Sequence, residues 1–268
     1  MKNRLLLSVL LCLTLLTSCG GNNEEDNLGD LPNVEKLITQ VTVQNPEFPD
    51  YYNPDTFIYE NGKLIKAWFY GQSGALSEFE YGANGKIETV YQKESVSYSD
   101  IDISIKTTGQ ITKQIYNGDG NLISITDNAG KVLCSLDYDS SGRFYKVDVK
   151  DYLIGKQETY IYSDFDTNGN PRKMNDPVTI TYDNKVNPIY ILFKKFGLFN
   201  VEMGNSLEGS RSGLYFSPNN IKEIIDADDS SEIFFSAIYS YDSDGYPISS
   251  SFNVDGGVSY SGVEIFDY

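Results

Sequence analysis

The stretch that decides the fold is Leu136–Val147, LDYDSSGRFYKV. Leu136 and Tyr138 share one parity before the glycine, and apolar residues resume after it. Asp139 can accept hydrogen bonds from backbone N–H groups two residues on, and Gly142 can take the left-handed conformation that a side chain resists. The segment therefore predicts two strands joined by a tight turn. Tyr138 sits just before the turn on the buried face, where it can pair across the hairpin. On this reading Tyr138 and Asp139 serve turn and core, and are not a reactive dyad.

The same frame of aromatic, polar residues, glycine, polar, apolar recurs at Tyr59 to Leu64, Tyr81 to Ile87, Tyr116 to Leu122 and Tyr241 to Pro247. Ile105 to Ile111 and Thr126 to Val132 fit it without the tyrosine. Tyrosines at 59 and 81, then at 116, 138, 162 and 182, step by 22, 22, 24 and 20 residues, which predicts one hairpin per unit. Elsewhere Ile101, Ile103 and Ile105 alternate with polar residues. Val132, Cys134, Leu136 and Tyr138 do the same, as do Val178, Ile180 and Tyr182, and Phe235, Ala237, Tyr239 and Tyr241. Period-two patterning means strands with one buried face. The expected fold is all-β, an antiparallel hairpin meander whose sheet is curved or barrel-like.

One segment breaks the pattern. Asn187 can cap, Pro188 suits a first helical position, and Ile189, Leu192, Phe193 and Phe196 follow at helical spacing before Gly197. A short helix over 188–197 is expected to pack on or plug the sheet. Residues 200–220 read as a long loop.

Here the motifs carry a resemblance. Tyr138-Asp139 with Gly142, Arg143 and Phe144, and Tyr241-Asp242 with Gly245, resemble the YD repeat of Rhs-type and teneurin-type extracellular proteins. Ile180–Pro188 (ITYDNKVNP) and Ser217–Ile221 (SPNNI) are similar to an uncharacterised family of Bacteroidetes lipoproteins described as having a porin-like fold. The resemblance implies a β-meander in the cell envelope and brings no activity with it. The chain has too few units for the closed shell of the long Rhs proteins.

The N-terminus reads as an export signal, with Lys2 and Arg4 before an apolar run of about 12 residues, shorter than the roughly 20 a membrane-crossing helix needs. Leu16, Thr17, Ser18 and Cys19 resemble the bacterial lipoprotein box, which implies cleavage before Cys19 and a diacylglycerol on its sulfur. Residues 1–18 are then the signal, 19–34 a flexible acidic tether, and 35–268 a single repeat-built β domain. Glu24, Glu25 and Asp26 resemble the acidic stretch that accompanies export to the outer face in surface lipoproteins of gut-dwelling Gram-negative bacteria. The expected location is the outer membrane, anchored by lipid, on the periplasmic or cell-surface face, with the surface favoured.

Composition narrows the chemistry. Without Lys2 and Arg4 the 21 basic residues fall to 19 against 38 acidic ones, a charge of −19 that repels nucleic acid. With Cys12 in the signal and Cys19 lipidated, only Cys134 remains, so no intramolecular disulfide is available. Histidine is absent, which removes the Ser-His-Asp and Cys-His arrangements and most zinc sites. Carboxylate mechanisms survive, but no glycosidase pair stands out among the acids.

Two candidate sites follow. Asp164, Asp166, Asn168 and Asn170, with Gly169 for the bend, place oxygens as a calcium loop does, although Asn175 stands where the bidentate Glu belongs. Trp68 and Tyr70, with Phe69 between them, form the densest aromatic group and a candidate glycan platform. The acidic run from Asp226 to Glu232 reads as a solvated turn. The combined expectation is a non-catalytic, water-soluble envelope lipoprotein that binds an extracellular glycan or protein. A carboxylate-dependent glycan hydrolase and a calcium-stabilised structural module are the alternatives.

Overall fold

The computed structural model describes residues 35–44, 54–69, 74–150, 157–175, 178–199, 216–229, 231–255 and 260–268. The signal, Cys19, the tether and Tyr70 lie outside the described residues. Sixteen antiparallel strands, ordered as they occur in the chain, close into one barrel, with β1 (Gln40–Gln44) paired to β16 (Tyr260–Asp267). Between them come β2 (Asp55–Glu60), β3 (Lys63–Phe69), β4 (Ala75–Tyr81), β5 (Ile87–Glu94), β6 (Gln110–Tyr116), β7 (Leu122–Asp127) and β8 (Val132–Tyr138). The second half runs β9 (Phe144–Lys150), β10 (Gln157–Phe165), β11 (Pro171–Met174), β12 (Val178–Val186), β13 (Asn219–Asp226), β14 (Ile233–Tyr241) and β15 (Pro247–Val254). The helix α1 (Pro188–Phe196) is inserted between β12 and β13.

The hairpin frame does what its residue types dictate. Asn117, Asp127, Asp139, Asp166 and Asp242 each accept, on one side-chain oxygen, the amides two and four residues further on, at 2.8–3.0 Å. Gly142 sits at φ 74° and donates to the Asp139 carbonyl at 3.0 Å, closing the turn.

The tyrosines join one hairpin to the next. Tyr59 donates to the Ile38 carbonyl (2.7 Å), Tyr81 to Leu64 (2.9 Å), Tyr116 to Ile87 (2.7 Å), Tyr138 to Leu122 (2.9 Å), Tyr182 to Pro171 (2.7 Å) and Tyr268 to Pro247 (3.0 Å). Each rung ties the end of one strand to the carbonyl beyond the neighbouring turn, and contributes about 1 kcal/mol. Tyr162 departs from the expected repeat, because Phe165 precedes Asp166 in the turn position three residues later. The Tyr162 ring is buried between Phe144 and Phe216, at 5.4 and 5.8 Å, and its hydroxyl has no partner among the described residues.

These connections lie on one rim of the barrel, and α1 plugs that rim. Asn187 caps the helix, accepting from the Ile189 amide at 3.0 Å, and Gly197 ends it at φ 75°. Leu192, Phe193 and Phe196 are buried, with Phe196 against Tyr59 and Tyr81 at 6.1 and 6.4 Å. A second interior cluster gathers Ile180, Ile221, Phe235, Ala237, Phe252 and Val254.

The expected strand through Ile101, Ile103 and Ile105 is absent. Residues 98–100 form a turn of 3-10 helix, and the chain to Gly109 is an irregular strap laid on the outside of β3 and β4. Burial explains the difference: Ile105 and Val96 pack outside the barrel wall on Trp68 and Leu76, an apolar surface that a free edge strand would leave wet. Lys66 donates to the strap carbonyls of Asp102 (2.9 Å) and Ile103 (2.8 Å), while Glu78 accepts from the Ile105 amide (2.9 Å).

Elsewhere the outer wall mixes exposed apolar residues, Ile115, Ile161 and Ile238 among them, with charge concentrated on β8–β10. Lys146 lies between Asp148 (2.7 Å) and Asp137 (3.4 Å), and Asp148 accepts from Thr159 at 2.5 Å. These residues alternate with inward Leu136, Val147 and Val149. A lipid-facing wall excludes such mid-strand charge.

Candidate functional site

Three turns on the plugged rim, 117–121 after β6, 139–143 after β8 and 166–170 after β10, stand side by side opposite α1. Between them and the helix lies a cleft of about 660 Å³, within the size range of small-molecule sites. Its floor is aromatic. Phe144 and Phe216 stack at 3.8 Å and 15°, Phe193 meets Phe216 edge-on at 5.4 Å, and Tyr138 meets Phe144 edge-on at 5.9 Å. Tyr190 contributes to the helical wall.

The polar groups around the floor fall into two kinds. Some are spent on the protein: Arg143 pairs with Asp139 at 2.7–2.8 Å and lies over the Phe165 ring at 4.8 Å. Burial opposes ionisation of Asp139, but the Arg143 amide and guanidinium and the Ser141 amide outweigh it and hold the carboxyl below its ordinary range. Others are uncommitted. The side chains of Asp119, Asn121, Ser141, Thr167 and Lys194 line the cleft, and none makes a hydrogen bond or ion pair among the described residues. An aromatic floor with a ring of free donors and acceptors can hold a flat, hydroxyl-rich ligand through its face and its edges.

The predicted site residues are placed as follows. Trp68 is 2% exposed; its Nε1 donates to the Val96 carbonyl at 3.0 Å, and the strap's Tyr98 meets its ring edge-on at 5.2 Å. A ligand stacking on Trp68 would have to lift the strap. Asp166, Asn168 and Asn170 are brought together, but with Asn219. Asn168 and Asn170 donate to Asn219 Oδ1 (3.2 and 2.8 Å), Asn170 also donates to Asp166 Oδ2 (2.9 Å), and the Asn219 amide donates back to Asn170 Oδ1 (3.0 Å). Asp164 is engaged with Arg172 at 2.9 Å. The loop thereby brackets the root of the helical insertion: Asn219 reaches the Lys185 carbonyl and Asn187 the Ser217 carbonyl, both at 2.9 Å.

A calcium ion here would have to displace N–H donors from those oxygens. Melting curves in calcium and in chelator are accordingly expected to share one midpoint. An upward shift with calcium concentration would show an ion bound to the folded state and restore the calcium reading.

Of the residues lining the cleft, Asp166 and Asn168 were singled out as calcium-loop candidates and Tyr138 and Phe144 as turn and core, but Asp119, Asn121, Ser141, Thr167, Tyr190 and Lys194 read as ordinary turn or helix residues. No family model matches the chain, and no curated protein matches it. Among solved structures it is similar to a porin-like protein from Bacteroides uniformis, at TM-score 0.46 and 16% identity, covering 86% of this chain and 97% of that one. It is also similar to a porin-like protein from Bacteroides vulgatus, at TM-score 0.38 and 13% identity, covering 87% and 99%. A third likeness is to the Photorhabdus luminescens Tc holotoxin pore, at TM-score 0.33 and 12% identity, covering 81% of this chain and 10% of that one.

Proposed function

We propose that this chain is a non-catalytic lipoprotein of the bacterial outer membrane, held by a lipid on Cys19 and displaying a barrel that stands in water and takes a glycan in the rim cleft. The observation that carries the reading is the aromatic floor ringed by uncommitted Asp119, Asn121, Ser141, Thr167 and Lys194. The mid-strand ion pairs of Lys146 with Asp137 and Asp148 on the outer wall support a tethered barrel over an inserted one.

The carboxyls bear on the hydrolase alternative. Glu80, Asp139, Asp148, Asp229 and Asp242 are displaced below their ordinary range, whereas a glycosidase acid has to be held above it. Asp166, one of the acids of the cleft, spends its oxygens on the turn and on Asn170.

Calorimetric titration against a panel of bacterial and host glycans tests the proposal. Tyr190→Ala should weaken binding about tenfold through the lost aromatic face, and Ser141→Trp, which fills the cleft from an exposed turn position, should abolish it. Retained affinity in both variants, or no glycan bound by the parent chain, would defeat it.

A further inference from the structure

Asparagine followed by glycine occurs at Asn61-Gly62, Asn84-Gly85, Asn117-Gly118 and Asn168-Gly169, each time in a hairpin connection. The pair carries a latent reaction of its own. The glycine amide nitrogen can attack the asparagine Cγ, because no side chain on the glycine obstructs the approach. The attack needs two free groups: an amide N–H not held by another acceptor, and a side-chain amide able to swing over the backbone.

Three of the pairs are held. Asn84 Oδ1 accepts the Lys86 amide at 3.0 Å, and the Gly85 amide donates to the Gly82 carbonyl at 3.1 Å. Asn117 Oδ1 accepts the amides of Asp119 and Asn121, both at 3.0 Å. Asn168 Nδ2 donates to Asn219 at 3.2 Å, and the Gly169 amide donates to the Asp166 carbonyl at 3.1 Å. In each pair two hydrogen bonds must break before the nitrogen and the Cγ can meet. The turn between β2 and β3 is different. It is the tight two-residue form, with Asn61 at φ 51° and Gly62 at φ 75°. Both residues are exposed, and a Cβ built on Gly62 would meet nothing within 4 Å. Among the described residues neither the Asn61 side chain nor the Gly62 amide makes a hydrogen bond.

From this contrast we infer that Asn61 is a site of spontaneous deamidation in the folded barrel, with water as the co-reactant. Gly62 N forms a bond to Asn61 Cγ and gives up its proton, while the Cγ–Nδ2 bond breaks and Nδ2 leaves as ammonia. The cyclic imide that results takes up water at either carbonyl and opens to aspartate or to isoaspartate, with no change of oxidation state. Both products add a negative charge, and isoaspartate also lengthens the backbone inside the turn. The change falls in the hairpin whose Tyr59 donates to the Ile38 carbonyl at 2.7 Å and packs on Phe196 of the plug at 6.1 Å. It depends on neither the lipid anchor nor the glycan cleft.

The test incubates the full folded chain at mildly alkaline pH and follows the four asparagines by peptide mapping and mass spectrometry, beside a sample unfolded in guanidinium chloride. In the folded chain Asn61 should convert at least about tenfold faster than Asn84, Asn117 or Asn168, the factor expected when two hydrogen bonds must first break. In the unfolded chain the four should agree within about threefold, because they share the same local chemistry and the turns that sort them are gone. Isoaspartate should accompany aspartate at position 61, and Gly62→Ala should slow the conversion at least about fivefold by obstructing the attack. Another of the four converting as fast as Asn61 in the folded chain overturns the inference, as does an order that persists unchanged on unfolding. Conversion at 61 that yields aspartate alone and is indifferent to Gly62→Ala overturns it too, since water would then be attacking the side chain directly.

Discussion

Replacing Trp68 by alanine is expected to cost the barrel about 3–5 kcal/mol and to leave ligand affinity at the cleft unchanged. The side chain is buried outside the sheet, under the strap, where it packs with Leu76, Val96 and Ile105 and donates to the Val96 carbonyl. Gly74 shows how closely the strap is fitted: a Cβ there would lie 2.6 Å from the Val96 carbonyl oxygen and 2.7 Å from the indole. Truncation opens a cavity and leaves that carbonyl without its donor, and the two losses act together. In a chain of this size each kcal/mol moves the melting midpoint by about 2–4 °C, so calorimetry should record a fall of roughly 10 °C. A variant that melts like the parent but loses glycan affinity would return Trp68 to the binding role its place among aromatic neighbours suggests.

The second large effect is expected at Gly197. Its φ of 75° is strained for any side chain, and a Cβ would run into the Tyr116 hydroxyl, with Cζ at 3.0 Å. That hydroxyl lies 2.7 Å from both the Ile87 carbonyl and Gln114 Oε1, so it cannot yield without breaking a rung of the tyrosine ladder. Gly197→Ala should therefore cost about 2–4 kcal/mol, strain and displacement combined. Gly62→Ala is the control, for Gly62 has the same φ but open space around its Cβ, and about 1 kcal/mol is expected there. Equal losses at the two positions in urea unfolding would show that the helix plug does not bear on Tyr116.

Much of the architecture could be read before any coordinates, because its causes are local. An Asp or Asn that accepts its own turn's amides, a glycine with positive φ and a tyrosine before them generate a hairpin wherever they occur, and repetition makes a meander. The α1 boundaries were as readable, since Asn187, Pro188 and Gly197 are themselves the cap, the first turn and the stop. Two local readings failed for one reason. Ile101, Ile103 and Ile105 alternate like a strand, and Tyr162 is spaced like a turn aromatic, but a wall from elsewhere in the chain claims Ile105, and Phe144 and Phe216 pack against the Tyr162 ring.

By itself the sequence determined the class of fold, the turn-side placement of the tyrosines, the helix, and a side-chain set without histidine. Only the tertiary structure decided that the meander closes on itself, that Asp166, Asn168 and Asn170 bracket the insertion through Asn219, and that three turns and a helix meet around one cleft. Closure and convergence depend on which distant strands become neighbours. Side chains as far apart as Asp119 and Lys194 carry no mark in the chain of the space they come to share.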